Sequence, residues 1–343
     1  MTKRVTLADV AKKAGVSSAT VDRVLSGRAS VSGKRAELVY EAARELGYYG
    51  VPALRARIPA KRSVIRLGLA LRRRHNFFYM AIEGAIRAAS TRFEAADIDL
   101  KVAYQSNNSP HEAASLIRKL AESCDAVAIM APDHPVVTAA VAEARSKNVF
   151  VFSILSDFAI DLRQAYLGLD NRKAGRSAAW GVVHTSQRPG ALCIVVGNYS
   201  YLAQEMREAG FRAYIRENQP SYSVVDTVAA AESEDDVRIV VERLLDAQPD
   251  LVGLYMASGG FEGAVEALKR RDKLGAVSLV CNEITPSSRQ ALVEQAAAMV
   301  IATPVDQLAE QLIAEAVHAV SGKADDVSKP GPLPFAIYIA ENL

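Results

Sequence analysis

Hydrophobic and polar positions change their period twice along the chain. From Thr6 the apolar residues Leu7, Val10, Ala11 and Ala14 recur at helical spacing, with Thr6 and Asp9 placed as a capping pair and Gly15 as a stop. Ser17 is set to cap a second helix whose inner side is Thr20, Val21, Val24 and Leu25. Ser32 opens a third, carrying Val39, Ala42, Ala43 and Leu46 before Gly47. Two helices joined across a tight glycine turn make a helix-turn-helix. Residues 49–62, which include Pro52 and Pro59, hold too few apolar positions for an isolated helix and are expected to be a hinge that turns helical only when something holds it.

From Val64 onward the pattern becomes one of near-continuous apolar runs separated by amphipathic segments, the first of these near 78–91, 111–122 and 135–146. Runs at 64–71, 98–104, 126–130 and 149–154 make one round. After 166–169 a second round follows at 191–196, 223–228, 251–256, 277–281 and 299–303. Strands of this kind, joined by helices, belong to a parallel sheet covered on both faces. Two rounds predict two doubly wound α/β lobes with a cleft between them, and ligands bind beyond the carboxyl ends of such strands. The expected organisation is a headpiece over 1–48, a linker over 49–62 and a two-lobed core over 63–343.

Composition excludes several classes. The chain of 343 residues is half hydrophobic and 23% charged, the balance of a globular protein. No apolar run approaches the roughly 18–20 residues of a membrane span, and the first residues lack a signal-peptide core, so a cytoplasmic protein with no membrane partner is expected. Cys124, Cys193 and Cys281 are too few and too scattered for a disulfide framework or zinc cluster and read as reduced core residues. The formal net charge of +2 hides an asymmetry: residues 1–62 hold 13 Lys and Arg against 5 Asp and Glu, a net +8, while the remainder holds 28 against 34, a net −6. A polycationic end on an acidic body points to a nucleic-acid partner.

Residues 5–25, from Val5-Thr6-Leu7-Ala8-Asp9 through Gly15-Val16-Ser17-Ser18-Ala19-Thr20 to Arg23-Val24-Leu25, closely resemble the DNA-binding headpiece of the LacI/GalR family. The rest resembles that family's periplasmic-binding-protein-like core, through Asn76-Phe77-Phe78 followed by Gly84, Leu169-Asp170-Asn171 through Gly175, Arg207-Glu208-Ala209-Gly210-Phe211 and Asp306-Gln307-Leu308. The resemblance implies a homodimer or dimer of dimers that binds pseudo-palindromic operator DNA. Its affinity would change when a small molecule, a sugar, polyol or sugar derivative, enters the cleft.

In a helix-turn-helix the first residues of the second helix meet base edges, which here are Ser18, Ala19 and Arg23, with Leu7 close by in the resembled family. Arg23 offers a bidentate fork to guanine, worth about 1–3 kcal/mol of discrimination. Ser17, Thr20, Ser30, Ser32 and Lys34 are expected on phosphates, which position without specifying. Asp22 departs from the small serine commoner in the family and is expected to pair with a basic neighbour or, failing that, to accept from cytosine N4. The family's hinge helix wedges an apolar side chain into the minor groove. Ile58 aligns with that wedge, with Ala56 and Arg57 beside it, and Leu54 is a second candidate.

At the effector end the resemblance implies roles for Asn76, for the aromatic pair Phe77 and Phe78 against a sugar ring, and for Arg207 as a donor to sugar hydroxyls. Asp133, Asp157, Ser258, Glu283 and Thr303, in or near the cleft loops, complete the candidate set. The run Arg72-Arg73-Arg74-His75 after the first strand is read as solvated at the rim; an arginine pointing inward would instead signal an acidic or phosphorylated effector. A transport solute-binding protein would suit the core alone, but the missing export signal and the basic headpiece oppose it. An enzyme is opposed by the lack of G-x-G-x-x-G, Walker A, G-x-S-x-G or metal-ligand spacing, and by histidines (75, 111, 134, 184, 318) without helical pairing; no cofactor or metal is expected.

Overall fold

The computed structural model describes residues 5–26, 31, 33–55, 62–322 and 331–343. The chain forms two compact units, Met1–Ser63 and Val64–Leu343.

The first unit is built on short helices that local chemistry starts and stops. Helix α1 (Leu7–Ala14) opens on a capping box in which the Asp9 amide donates to Thr6 Oγ1 at 3.3 Å and the Thr6 amide donates to Asp9 Oδ2 at 2.9 Å. Gly15, at φ +65°, ends it in the left-handed conformation. Helix α2 (Ser18–Ser26) follows at once, and Ser17 Oγ accepts from the Thr20 amide at 3.2 Å. Helix α3 (Gly33–Glu45) covers the pair, so that Val10, Ala11, Val21, Val24, Val39 and Ala43 share one small core. The linker expected from residue 49, helical only when something holds it, is held at its start. Val51–Arg55 is a helix, α4, and Leu54 is fully buried in the headpiece core. A turn too short to stand alone is stabilised by apolar partners that sequence neighbours do not reveal.

The second unit contains two α/β lobes. In the first, β1 (Ser63–Arg72), α5 (Phe77–Arg92), β2 (Ala96–Gln105), α6 (Pro110–Ala121), β3 (Ala126–Ile129), α7 (Pro135–Ser146), β4 (Phe150–Ile154) and β5 (Ala165–Leu167) form a five-stranded sheet in the order β2-β1-β3-β4-β5. Leu67 lies beside Ala126, Ala126 beside Phe150 and Phe152 beside Ala165, all in parallel pairs. The second lobe follows with α8 (Asn171–Thr185), β6 (Ala191–Val196), α9 (Leu202–Asn218), β7 (Ser223–Val224), β8 (Val228–Ala229), α10 (Glu234–Ala247), β9 (Leu251–Met256), α11 (Phe261–Arg270), β10 (Ser278–Asn282), α12 (Pro286–Val293) and β11 (Met299–Ala302). Helix α13 (Val305–Val320) returns to the first lobe, where Leu308, Leu312 and Ile313 join its core, and β12 (Ala336–Tyr338) pairs antiparallel with β11. The second sheet runs β12-β11-β10-β9-β6-β7, with β8 also on β6.

Alternation along each strand explains the unbroken apolar runs. On β1, Leu67, Leu69 and Leu71 enter one core while Ala70 enters the other; on β6, Cys193 and Val195 face one way, Leu192 and Ile194 the other. All three cysteines are buried free thiols, and burial pushes Cys193 up to about 11. Among the described residues no helix is long and apolar enough to cross a membrane, and no cluster of His, Cys, Asp and Glu could hold a metal ion.

Candidate functional site

The headpiece turns one face of α2 outward. Val21 and Val24 point into its core, which leaves Ser18, Ala19, Asp22 and Arg23 exposed together, with Ser17 at the helix start and Lys34 on α3 also exposed. Leu7 is half-buried and packs on the headpiece core. Ser17 Oγ and Thr20 Oγ1 are bonded to each other at 2.9 Å, so the capping pair is fixed before anything docks on it. Asp22 departs from expectation: among the described residues it makes no ion pair and no hydrogen bond, and it stands as an exposed carboxylate beside Arg23. Ser30, Ser32, Ala56, Arg57 and Ile58 lie outside the described residues.

In the core, a cavity of about 120 Å³ sits where the strand ends of the two lobes face each other. Asn76 lines it and caps α5, its Oδ1 accepting from the Phe78 amide at 3.0 Å. Phe78, Tyr79, Met130, Leu155 and Tyr201 supply the apolar wall. Arg207 enters from α9. Its Nε donates to Asn171 Oδ1 at 2.8 Å and its Nη1 to the Ala257 carbonyl at 2.9 Å, leaving Nη2 at 3.9 Å from the Glu283 carboxylate. Two bonds thus orient the guanidinium, and its third nitrogen and Glu283 are spaced so that a ligand hydroxyl could bridge them.

Glu283 is held in an uncommon backbone conformation, φ +69°, by its amide on the Ile301 carbonyl at 2.8 Å. Its two carboxylate oxygens accept from the Thr303 amide at 2.8 Å and from Thr303 Oγ1 at 2.9 Å. Burial pushes its carboxyl above the usual range, against the opposing pull of Arg207. Ser258 and Gly259 line the cavity on the loop after β9, and Gly260, at φ +86°, turns the chain into α11, where a Cβ would meet Val237 at 2.8 Å. Burial likewise raises Glu262, in the first turn of that helix.

Several expected residues are not in the cavity. Phe77 is 58% exposed, because it begins α5 on the side away from the wall that Phe78 joins. Asp133 does not line it; Asp133 Oδ1 accepts from the Ala159 amide at 3.2 Å and its own amide donates to the Ser200 carbonyl at 3.0 Å, tying the lobes together. Asp157 is engaged by the fork of Arg163, with Nη2 at 2.6 Å from Oδ2, and by Ser153 Oγ at 2.7 Å. Thr303 stands behind the wall as the support of Glu283. The arginine run is the largest correction: Arg72 is 1% exposed and Arg73 lines the cavity. Gln204, Glu232, Glu262, Asn282 and Thr285 line it as well and were not singled out from sequence. Glu232 gave the weakest signal, a lone acid between Ala231 and the α10 cap Ser233.

Two family models divide the chain as the two units do. The periplasmic binding protein domain matches residues 67–324 and the lacI family of bacterial regulatory proteins matches 6–50. The chain belongs to the periplasmic-binding-protein family and carries a lacI-family helix-turn-helix domain ahead of that core. Among curated relatives, it is 54% identical over 55 residues to the HTH-type transcriptional regulator GntR of Pseudomonas aeruginosa, 16% of each chain. It is 47% identical over 66 residues to the HTH-type transcriptional regulator AscG of Escherichia coli, 19% of each. The matched segment thus spans less than a fifth of either relative. Among solved structures, a periplasmic solute-binding protein of Actinobacillus succinogenes with bound D-allose superposes with a TM-score of 0.73 at 17% identity, covering 81% of this chain and 98% of that one. A solute-binding protein of Burkholderia graminis in complex with D-arabinose gives 0.75 at 18%, covering 83% and 98%. At these identities the likeness is one of fold.

Proposed function

We propose that the chain is a ligand-responsive transcription regulator, of repressor type, whose headpiece holds operator DNA and whose core senses a small polyhydroxylated effector: a sugar, polyol or sugar derivative. One observation carries the reading: an exposed helix-turn-helix face in a basic segment is joined in one chain to an α/β core with a polar cavity at its strand ends. Arg23 would read a guanine, Ser18 and Ala19 lie against neighbouring bases, and Ser17, Thr20, Ser30, Ser32 and Lys34 hold phosphates. The burial of Leu54 in the headpiece core speaks against it as the minor-groove wedge and favours Ile58 in that role, with Ala56 and Arg57 beside it. A single headpiece reads few bases, so a homodimer on a pseudo-palindromic operator is the working assembly, in the cytoplasm and without catalysis. In the cavity, Asn76, Arg207, Ser258 and Glu283 would take the effector's hydroxyls and Phe78 its apolar face. Effector then shifts operator affinity only as far as it prefers one arrangement of the lobes over another.

Gel shifts of the promoter adjoining the gene, with and without sugars, polyols and sugar acids, test this. A sequence-specific shift altered by one of these compounds is expected. Sugar binding with no specific shift would favour the solute-binding reading, for which the fold likeness speaks. Neither binding nor shift would defeat both.

A further inference from the structure

Charge is distributed unevenly along the cavity. Where β1 ends, buried behind the cavity wall rather than lining it, Arg72 donates through Nη2 to Asn108 and stands 3.1 Å from the Glu232 carboxylate, with its guanidinium over the Tyr201 ring at 5.1 Å from the centroid. Its Nη1 is buried with no partner, and so is the hydroxyl of Tyr201. Arg73, from the cavity wall, donates to the Glu232 carbonyl and lies 3.9 Å from the same carboxylate, which also accepts from Gln204 at 3.2 Å. Two guanidiniums, neither of which can shed its proton, therefore share one carboxylate, while Arg72 Nη1 and the Tyr201 hydroxyl remain donors without acceptors. Elsewhere on the wall the charges reverse: Glu283 faces Arg207, Glu262 lines the cavity as well, and burial favours the neutral form of both acids.

We propose that Arg72, Arg73 and Tyr201 form an anion subsite, that the effector is a polyhydroxy compound bearing one carboxylate or phosphate, and that Glu232 is the chain's own competitor for that subsite. The proposal rests on the effector-sensing reading above and specifies its ligand. Arg72 and Arg73 belong to the first lobe, whereas Glu232, between β8 and α10, and Tyr201, the cap of α9 whose ring packs into the first-lobe core, are carried by the second. Parting of the lobes strips both arginines of their carboxylate, and a desolvated cation without an anion is costly. A ligand carboxylate or phosphate restores it, accepting from the fork of Arg72 and the Tyr201 hydroxyl, while its hydroxyls reach Arg207 and Glu283.

Calorimetric titration of the full-length protein tests this with D-glucuronate, D-galacturonate and D-gluconate against D-glucose and D-galactose, and with D-glucose 6-phosphate to separate phosphate from carboxylate. At least one acid or the phosphate ester is expected to bind about tenfold or more tightly than its neutral parent. That preference should collapse in Arg73→Gln, and in the double variant Arg72→Met/Glu232→Met, which leaves neither charge buried alone. Glu232→Gln supplies the deciding sign: it should strengthen the anionic ligand about tenfold relative to its neutral parent. Tightest binding of the phosphate ester supports the subsite and assigns it phosphate. The proposal is overturned if neutral sugars bind as well as the acids, if the preference survives the arginine variants, or if Glu232→Gln weakens acids and neutral sugars alike, which would make Glu232 an acceptor of ligand hydroxyls. It is also overturned if nothing in the panel binds while specific operator binding persists; loss of operator specificity in the unaltered protein would instead defeat the regulator reading.

Discussion

Arg207 is a side chain whose guanidinium is oriented by its own protein partners. Asn171 and the Ala257 carbonyl each take one of its nitrogens, so the remaining Nη2 is aimed without further ordering when a ligand arrives. Lysine would keep the charge but not the fork. Arg207→Lys is therefore expected to weaken effector binding by about 2 kcal/mol while operator affinity in its absence stays within about twofold, checked by titrating effector against the operator complex. Sequence pattern pointed to Arg207, Asn76 and Phe78 through the resembled family's motifs and to Ser258 and Glu283 through their strand-end loops, and all five line the cavity. It could not separate these from Asp133 and Asp157, which occupy equivalent loops. Their roles are decided by the Ser200 carbonyl and the Arg163 fork, the first of which is supplied by the other lobe. Glu232 was illegible for the same reason, since its meaning lies in arginines 159 and 160 residues away.

Helices α8 and α9 meet at backbone distance, which brings Asn171 and Arg207 together. A Cβ on Gly175 would stand 1.9 Å from the Arg207 carbonyl oxygen, and one on Gly210 would stand 2.1 Å from that of Arg172. Neither neighbour is a side chain that could swing aside, so the helices must separate. Gly210→Ala is expected to cost about 1–3 kcal/mol in urea unfolding and to weaken effector binding through Arg207. Gly84→Ala is the control: its Cβ meets nothing within 4 Å on exposed α5, and it should be neutral or stabilising by up to about 1 kcal/mol. The long parallel strands were legible because burial on both faces writes unbroken apolar runs. The expected 223–228 strand resolves into two short pieces, β7 and β8, and the antiparallel β12 was missed because three residues are too few to show a period. For helix α4 the sequence showed a segment that needs a partner but not which one, because its stability comes from burying Leu54 among residues of three other helices.

At the scale of the whole chain, the separation of +8 on residues 1–62 from −6 on the remainder makes a thermodynamic statement about where DNA acts. Each phosphate neutralised releases condensed counterions, so the logarithm of affinity falls with the logarithm of salt at about −0.9 per contact. The acidic core contributes nothing favourable to that slope, whereas Lys34, exposed on α3, contributes to it if it meets a phosphate. A dimer loses two such contacts per substitution. Lys34→Ala should thus make the slope shallower by about 2 and weaken all sequences alike between 50 and 200 mM salt, as read by fluorescence anisotropy. Arg23→Ala should act differently, costing about 1–3 kcal/mol per half-site against a guanine-bearing operator and much less against one lacking it. Arg207→Lys should leave the salt slope untouched and alter only the response to effector. If all three variants shift the slope together, DNA is touching the acidic core as well, and the division of labour read from the charge pattern is wrong.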